Sequence, residues 1–259
     1  MFEFLQALLG PVSSTGLAIV AGTVLLAGFI RGFVGFGAAL IIVMVLSAVF
    51  GPVIAVPAAN LSGLPATLQL LPAAVRDSER GFVLPFGLAS FAVAPFGVMV
   101  LITLDPAIMR MAISVFVLLM FVILVRGWQL TRRPGMAMLT GTGATAGFIQ
   151  GAASVSGPLA VILALSQPGS AVQQRANVIG AVTSLNLCAM IPFWYQGLFT
   201  RESLLLALII APLYSLAIWL GARFFGGEGQ RHFRNAALLA LAVIGIVTLY
   251  LAVQDYLAA

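Results

Sequence analysis

Hydrophobic residues dominate the chain in long runs, and short polar breaks separate these runs. Six of the runs have the roughly 20 residues that an α-helix needs to cross the hydrocarbon core of a bilayer. They cover residues 53–75, 82–103, 107–125, 173–196, 203–222 and 235–254. The pattern therefore predicts six transmembrane helices.

Two further apolar stretches contain clusters of small residues that interrupt a helix. Residues 28–40 read GFIRGFVGFGAAL, and residues 147–159 read GFIQGAASVSGPL. The first cluster divides residues 16–50 into pieces of about 15 and 13 residues, each only about 20 Å long at 1.5 Å per residue, too short to cross about 30 Å of hydrocarbon. We predict two re-entrant hairpins, with second half-helices that begin near Gly37 and near Gly157. The alternative is a broken helix that crosses the membrane.

The two interruptions are copies of each other. A shift of 119 positions carries GFIRG at 28–32 onto GFIQG at 147–151, and a shift of 117 carries Asn60 onto Asn177 and Gln69 onto Asn186. Chance similarity between apolar segments is the alternative explanation. The order and spacing of the matches indicate a duplication, with a first transmembrane repeat at residues 1–127 and a second at residues 128–259.

The arginines between segments indicate how the two halves lie in the membrane. If both interrupted stretches are hairpins, eight of these arginines fall on the cytoplasmic side, as the positive-inside rule requires. These are Arg76, Arg80, Arg126, Arg132, Arg133, Arg223, Arg231 and Arg234. Each half then crosses the membrane three times, so the second half is upside down. The sequence predicts an all-α polytopic membrane protein with an inverted repeat, each half a glycine-broken re-entrant hairpin plus three transmembrane helices.

The composition supports this class of protein. Hydrophobic residues make up 62% of the chain and charged residues 7%, and the mean hydropathy is +1.15. A soluble fold with these values would have too few polar residues to cover its surface. The arginines lie mainly in the short breaks, a pattern that reflects topology rather than nucleic-acid binding.

The hairpin tips are the predicted binding site. Two helix N-termini that meet near the bilayer midplane would direct free N–H groups at one point and attract an anion. Arg31 adds a full charge in a fork that suits a carboxylate, sulfonate or phosphate group. The alternative is that the glycines only permit close helix packing.

The candidate substrate-binding residues are those of the two tips and the uncharged polar residues on the helix after each tip, although the latter residues suit interhelical hydrogen bonds equally well. They are Arg31, Gly32, Gly35, Gly37, Gln150, Gly151, Ser154, Ser156 and Gly157 at the tips, and Asn60, Gln69, Asn177 and Asn186 on the helices. Thr67 and Ser184 are uncharged polar residues at matching positions of the same two helices. Arg175 is expected to reach the lipid headgroups rather than the site.

Catalytic, metal and cofactor sites are not predicted. His232 is the only histidine, Cys188 is the only cysteine, and the chain has no Gly-x-x-x-x-Gly-Lys phosphate loop. The seven acidic residues all fall in loops, at segment ends or near the termini, so no carboxylate is placed to carry a coupling proton at the midplane. Export of an anion needs no such proton, because an interior-negative potential already favours anion exit by about 2.3 kcal/mol per charge per 100 mV. Coupling to sodium held by backbone carbonyls is the alternative.

The two tips resemble those of the TauE/SafE family of sulfite exporters and related sulfonate or organic-anion transporters. Gly28, Gly32, Gly35 and Gly37 match in the first copy, and Gly147, Gly151 and Gly157 match in the second. The tips depart from the family pattern at Arg31, where the family more often has a small neutral residue, and at Ser154 and Ser156, which replace glycines. These changes make the pocket more polar and more positive, which fits a substrate with extra oxygens, such as sulfoacetate or another sulfonate that also carries a carboxylate.

The resemblance implies a bacterial inner-membrane transporter that moves a small sulfur-containing or carboxylic anion. We expect export of such an anion; an importer or channel for the same anions and a non-transporting scaffold subunit are the alternatives. The predicted partners are the anionic substrate and the lipid bilayer, with assembly as a homodimer left open and no nucleic acid.

Overall fold

The computed structural model describes residues 14–125, 134–167 and 169–225. These residues form ten helices and no β-strand. The helices are α1 (Ser14–Val34), α2 (Ala38–Phe50), α3 (Pro52–Ser62), α4 (Leu64–Asp77), α5 (Arg80–Thr103), α6 (Pro106–Val125), α7 (Met136–Ala153), α8 (Gly157–Leu165), α9 (Ala171–Tyr195) and α10 (Arg201–Phe224). The prediction of an all-helical membrane protein is confirmed at this level.

Long apolar helices match most of the predicted spans. By length and composition, α5, α9 and α10 can each cross a membrane, and α6 coincides with the predicted span at 107–125. The predicted span at 53–75 consists of two helices, because α3 and α4 meet at Gly63 with a bend of 43°, and together they pass the same test of length and composition. Pro65 in the first turn of α4 has no N–H to continue the ladder of α3. The predicted helix at 235–254 lies outside the described residues.

Both interrupted stretches break where the sequence predicts a second half-helix. Gly35 and Gly37, between α1 and α2, have φ of 99° and 100°, a conformation that favours glycine. In the second copy α8 begins at Gly157, followed by Pro158 in its first turn. The expected length of the first piece is wrong: α1 has 21 residues, or about 31 Å, because Gly28 and Gly32 stay inside the helix.

Glycines bring two pairs of helices into backbone contact. On α1, a Cβ added to Gly32 would overlap the carbonyl oxygen of Ile218 on α10. On α7, a Cβ added to Gly147 would overlap the carbonyl oxygen of Ser90 on α5. Small residues allow this close approach, which provides van der Waals packing in a medium where the hydrophobic effect between helices is absent.

The two helix pairs have equivalent contacts. A shift of 119 positions carries the α1 residues Gly28, Phe29 and Gly32 onto the α7 residues Gly147, Phe148 and Gly151. A shift of 124 carries the α5 residues Ser90, Ala94 and Gly97 onto the α10 residues Tyr214, Ile218 and Gly221. Gly28 contacts Tyr214 as Gly147 contacts Ser90, and Gly32 contacts Ile218 as Gly151 contacts Ala94. In the same way, Gly221 contacts Phe29 as Gly97 contacts Phe148. Thus α1, in the predicted first repeat, packs against α10 of the predicted second repeat, and α7 of the second packs against α5 of the first.

The order of these contacts gives the helix directions. Successive residues of α5 meet successive residues of α7, as Phe86 meets Gly143 and Ala94 meets Gly151, so the two helices are parallel. Successive residues of α5 also meet successive residues of α9, and successive residues of α1 meet successive residues of α10. Each of these two pairs is therefore also parallel. Because α10 ends beside Arg175 at the start of α9, where Phe225 stacks on the guanidinium, α10 runs against α9. Hence α1 and α7 run in opposite directions.

Candidate functional site

A small cavity lies between the two tips. Its volume is about 20 Å³, whereas a single buried water needs roughly 10–15 Å³. The first tip contributes Phe36 and Gly37, and the second contributes Ser154, Val155 and Gly157. In this conformation the cavity therefore has room for one small group, such as a single oxygen of an oxyanion.

The guanidinium of Arg31 is buried at the wall of this cavity. The residue is 4% exposed. Its NH1 group donates to the hydroxyl of Tyr214 at 3.2 Å and its NH2 group to Oγ1 of Thr67 at 3.2 Å, while Nε has no hydrogen-bond partner. Both partners are neutral, so the hydrogen bonds leave the charge unbalanced. A buried charge without a counter-charge costs several kcal/mol, so an anion placed beside the guanidinium would be stabilised.

Polar side chains from both halves continue from Arg31 in one network. Asn186 Nδ2 donates to Thr67 Oγ1 at 3.1 Å, and Gln150 Nε2 donates to Asn186 Oδ1 at 3.5 Å. The Ser156 hydroxyl donates to Gln150 Oε1 at 2.7 Å. The network links α1 and α4 to α7 and α9. Arg31, Gln150 and Asn186 also line the cavity.

Two helix N-termini lie at the same cavity. Gly37 precedes the first residue of α2, and both Gly37 and Leu40 line the cavity. Gly157, the first residue of α8, lines it from the other side. The first N–H groups of a helix have no intrahelical acceptor and carry partial positive charge. Together with Arg31, they make the cavity electropositive and suited to an oxyanion.

Other predicted site residues lie apart from the cavity. Gly35 packs against Ile179, while Gly32 and Gly151 support the helix contacts described above. Asn60 is buried with neither amide atom bonded, and Gln69 is exposed. None of these five residues is part of the cavity lining.

Asn177 lies on α9 like Asn186, but it contacts the start of α5 instead of the cavity. Its Oδ1 accepts a hydrogen bond from the backbone N–H of Glu79 at 2.7 Å, at the start of α5, and its Nδ2 has no partner. Asn177 is not part of the cavity lining. The hydrogen bond from Glu79 fastens the start of α5 to α9.

The expectation that Arg175 reaches the headgroups is wrong. Arg175 is 7% exposed, and it donates to the carbonyl oxygens of Phe33 at 3.0 Å and Gly32 at 2.6 Å. Its guanidinium lies 4.1 Å from the ring centroid of Phe225. The last carbonyls of α1 have no intrahelical donors, and a cation there also suits the helix dipole. Arg175 therefore caps the helix that carries Arg31.

Tyr214 is the partner of Arg31 that the sequence interpretation missed. It lies in the middle of the apolar run at 203–222, whereas tyrosines that anchor a helix at the interface lie near its ends. Its ring is 1% exposed. A tyrosine at mid-span was the available signal, because a buried hydroxyl there needs a polar partner.

Among the described residues, no group of three or more His, Cys, Asp or Glu side chains is placed to hold a metal ion. The polar side chains that line the cavity are those of Arg31, Gln150, Ser154 and Asn186, and none of the described lining residues carries a carboxylate or an imidazole.

Comparison with known protein families identifies a match that covers most of the chain. The model of a family described as sulfite exporter TauE/SafE matches residues 20–248, which include both tips. No curated protein and no solved structure matches the chain.

Proposed function

Because this chain belongs to the sulfite exporter TauE/SafE family, we propose that it is a secondary transporter that exports a small organosulfur or related organic anion. The family is one of membrane transporters for sulfite and related sulfur anions, and the apolar helices fit a multi-pass membrane protein. We place it in the bacterial inner membrane. A sulfonate is the substrate type that the site suits best, because three oxygens can meet a guanidinium fork and helix N-termini together.

The buried charge of Arg31 is the observation that carries this proposal. Its Nε is unpartnered, its other nitrogens bond neutral hydroxyls, and it lines a cavity between two helix N-termini. A scaffold that only packs helices would gain nothing from this arrangement, because a buried unpaired charge opposes folding. A bound anion would provide the missing charge.

The contacts between halves support an inverted-repeat mechanism. α1 and α7 occupy equivalent places and run in opposite directions, and each is interlocked by glycines with a helix of the other half. We propose that the α1–α10 pair and the α5–α7 pair each move as a unit, because backbone contact leaves no room for sliding. Rocking of one pair against the other would expose the cavity to each side in turn.

Transport by the purified protein in liposomes tests this function. Vesicles loaded with a labelled alkanesulfonate such as methanesulfonate, which carries one negative charge, should release it faster through the protein when a potassium diffusion potential makes the interior negative, since the charge gains about 2.3 kcal/mol per 100 mV. Release should saturate with substrate concentration. Flux that does not saturate would indicate a channel, accumulation against the potential an importer, and no flux with no thermal stabilisation by anions a scaffold.

Cysteine labelling tests the inverted arrangement. In a Cys188→Ser background, Ser14→Cys at the start of α1 and Gly135→Cys before α7 should react with an impermeant thiol reagent from opposite sides of the membrane. Between these positions the hairpin topology has three crossings, whereas a broken helix that crosses would add a fourth. Gly135 is exposed, and a Cβ there meets no atom within 4 Å. Labelling of both positions from one side would contradict the inversion.

A further inference from the structure

We propose that the cavity selects singly charged anions and that Gln150 sets this limit. The proposal rests on the proposed transport function and adds the charge of the substrate. The repeat places Gln150 and Arg31 at equivalent positions, 119 residues apart. Both side chains line the cavity, one from each half. A symmetric pair of arginines would give two positive charges, whereas this pair gives one.

The charge of the cavity wall follows directly from its side chains. Among the described residues that line it, Arg31 is the only one with a charged side chain, and the other polar side chains are Gln150, Ser154 and Asn186. A single guanidinium balances a single negative charge. A second negative charge in the same buried place would have only neutral donors and helix dipoles, which do not compensate for the loss of its hydration.

The side chain of Gln150 is a neutral amide, and hydrogen bonds at both of its ends hold it in place. Its Oε1 accepts from Ser156 at 2.7 Å, and its Nε2 donates to Asn186 Oδ1 at 3.5 Å. Gln150 is 3% exposed, so both ends of the amide are held inside the protein. One Nε2 hydrogen is left to donate, enough to meet an oxygen but not to balance a charge.

The rest of the wall suits an apolar group on the substrate. Phe36, Val182 and Leu185 line the cavity beside the polar groups. An oxygen turned toward these side chains would lose its hydrogen bonds to water without replacement, which weakens binding. A methyl or methylene group in the same place loses nothing. The wall therefore favours an anion with a charged head and an apolar side, as in an alkanesulfonate.

Methanesulfonate and sulfate form a matched pair of probes. Both are tetrahedral around sulfur, and one has a methyl group where the other has a second charged oxygen. Titrations of the purified full-length protein should give at least ten-fold tighter binding of methanesulfonate. Gln150→Arg should reduce this ratio at least ten-fold by balancing the second charge, whereas Gln150→Met, which adds none, should keep methanesulfonate the tighter ligand. Thermal unfolding without ligand establishes that each variant is folded.

The outcomes separate this proposal from the proposed function. Equal or tighter binding of sulfate by the unmodified protein overturns the charge limit but leaves anion transport intact. An unchanged ratio in folded Gln150→Arg overturns the role of Gln150. If that variant does not fold, Asn186→Arg places the same charge on α9 at the same cavity. The ratio of methanesulfonate to sulfate affinity in the unmodified protein tests the charge limit in either case. Binding of neither these probes nor any sulfonate overturns the transport function itself.

Discussion

Replacement of Arg31 by methionine is expected to weaken sulfonate binding at least a hundred-fold. Methionine keeps much of the side-chain volume but removes the charge and every donor. Hydrogen bonds to a charged group contribute about 1.5–3 kcal/mol each, and the loss of two gives about 3 kcal/mol or more, or two orders of magnitude in the dissociation constant. Isothermal titration of the purified variant measures this loss directly.

The same variant also separates a binding role from a structural one. Without ligand, its thermal stability should equal or exceed that of the parent, because an unpaired buried charge opposes folding. Arg31→Lys keeps the charge but loses the planar fork, and we expect intermediate affinity. Unchanged affinity in folded Arg31→Met would contradict the site, and collapse of the fold with Arg31→Met would indicate that the guanidinium mainly supports the network through Thr67 and Tyr214.

Replacement of Gly147 by alanine is expected to destabilise the protein by about 1–3 kcal/mol, the usual cost of overpacking. The added Cβ would overlap the carbonyl oxygen of Ser90 and lie 2.5 Å from its Cα. These are backbone atoms of α5, so no side chain can rotate away. α7 must move outward along its whole contact with α5. The midpoint of thermal unfolding in detergent measures the effect.

Gly141→Ala is the matched control on the same helix. Gly141 is exposed, and a Cβ there meets no atom within 4 Å. Alanine is the better helix former by up to about 1 kcal/mol, so this variant should be as stable as the parent or more so. Equal stability of the Gly147 and Gly141 variants would mean that α5 and α7 are not in backbone contact.

The sequence was most informative about the two tips. Their small residues and their repetition predicted where α2 and α8 begin, because a left-handed turn at Gly37 and a proline after Gly157 leave few alternatives. The sequence also predicted that residues of both tips take part in one site. It did not separate glycines that turn the chain from those that pack helices. Gly28 and Gly32 look like Gly35 and Gly37 in sequence, and only their neighbours on α10 distinguish them.

Contacts between helices that are distant along the chain could not be predicted from the sequence. The bend at Gly63 had a local signal in Pro65, but apolar length alone favoured an unbroken helix. The place of Arg175 depends on the end of α1, some 140 residues earlier in the chain. Hydropathy gives the depth of a residue in the membrane, whereas a partner such as Tyr214 depends on which helices become neighbours.

The packing of α1 against a helix far along the chain also affects how the protein is synthesised and inserted. The partner of α1 is α10, and 166 residues separate Val34 from Arg201. At about 5–20 residues per second, the ribosome needs roughly 10–30 s to supply it. Until then the glycine face of α1 has no helix to pack against, and the guanidinium of Arg31 is without Tyr214. While translation continues, the glycine face and the guanidinium of α1 therefore need other contacts, with the insertion machinery or with the lipid headgroups.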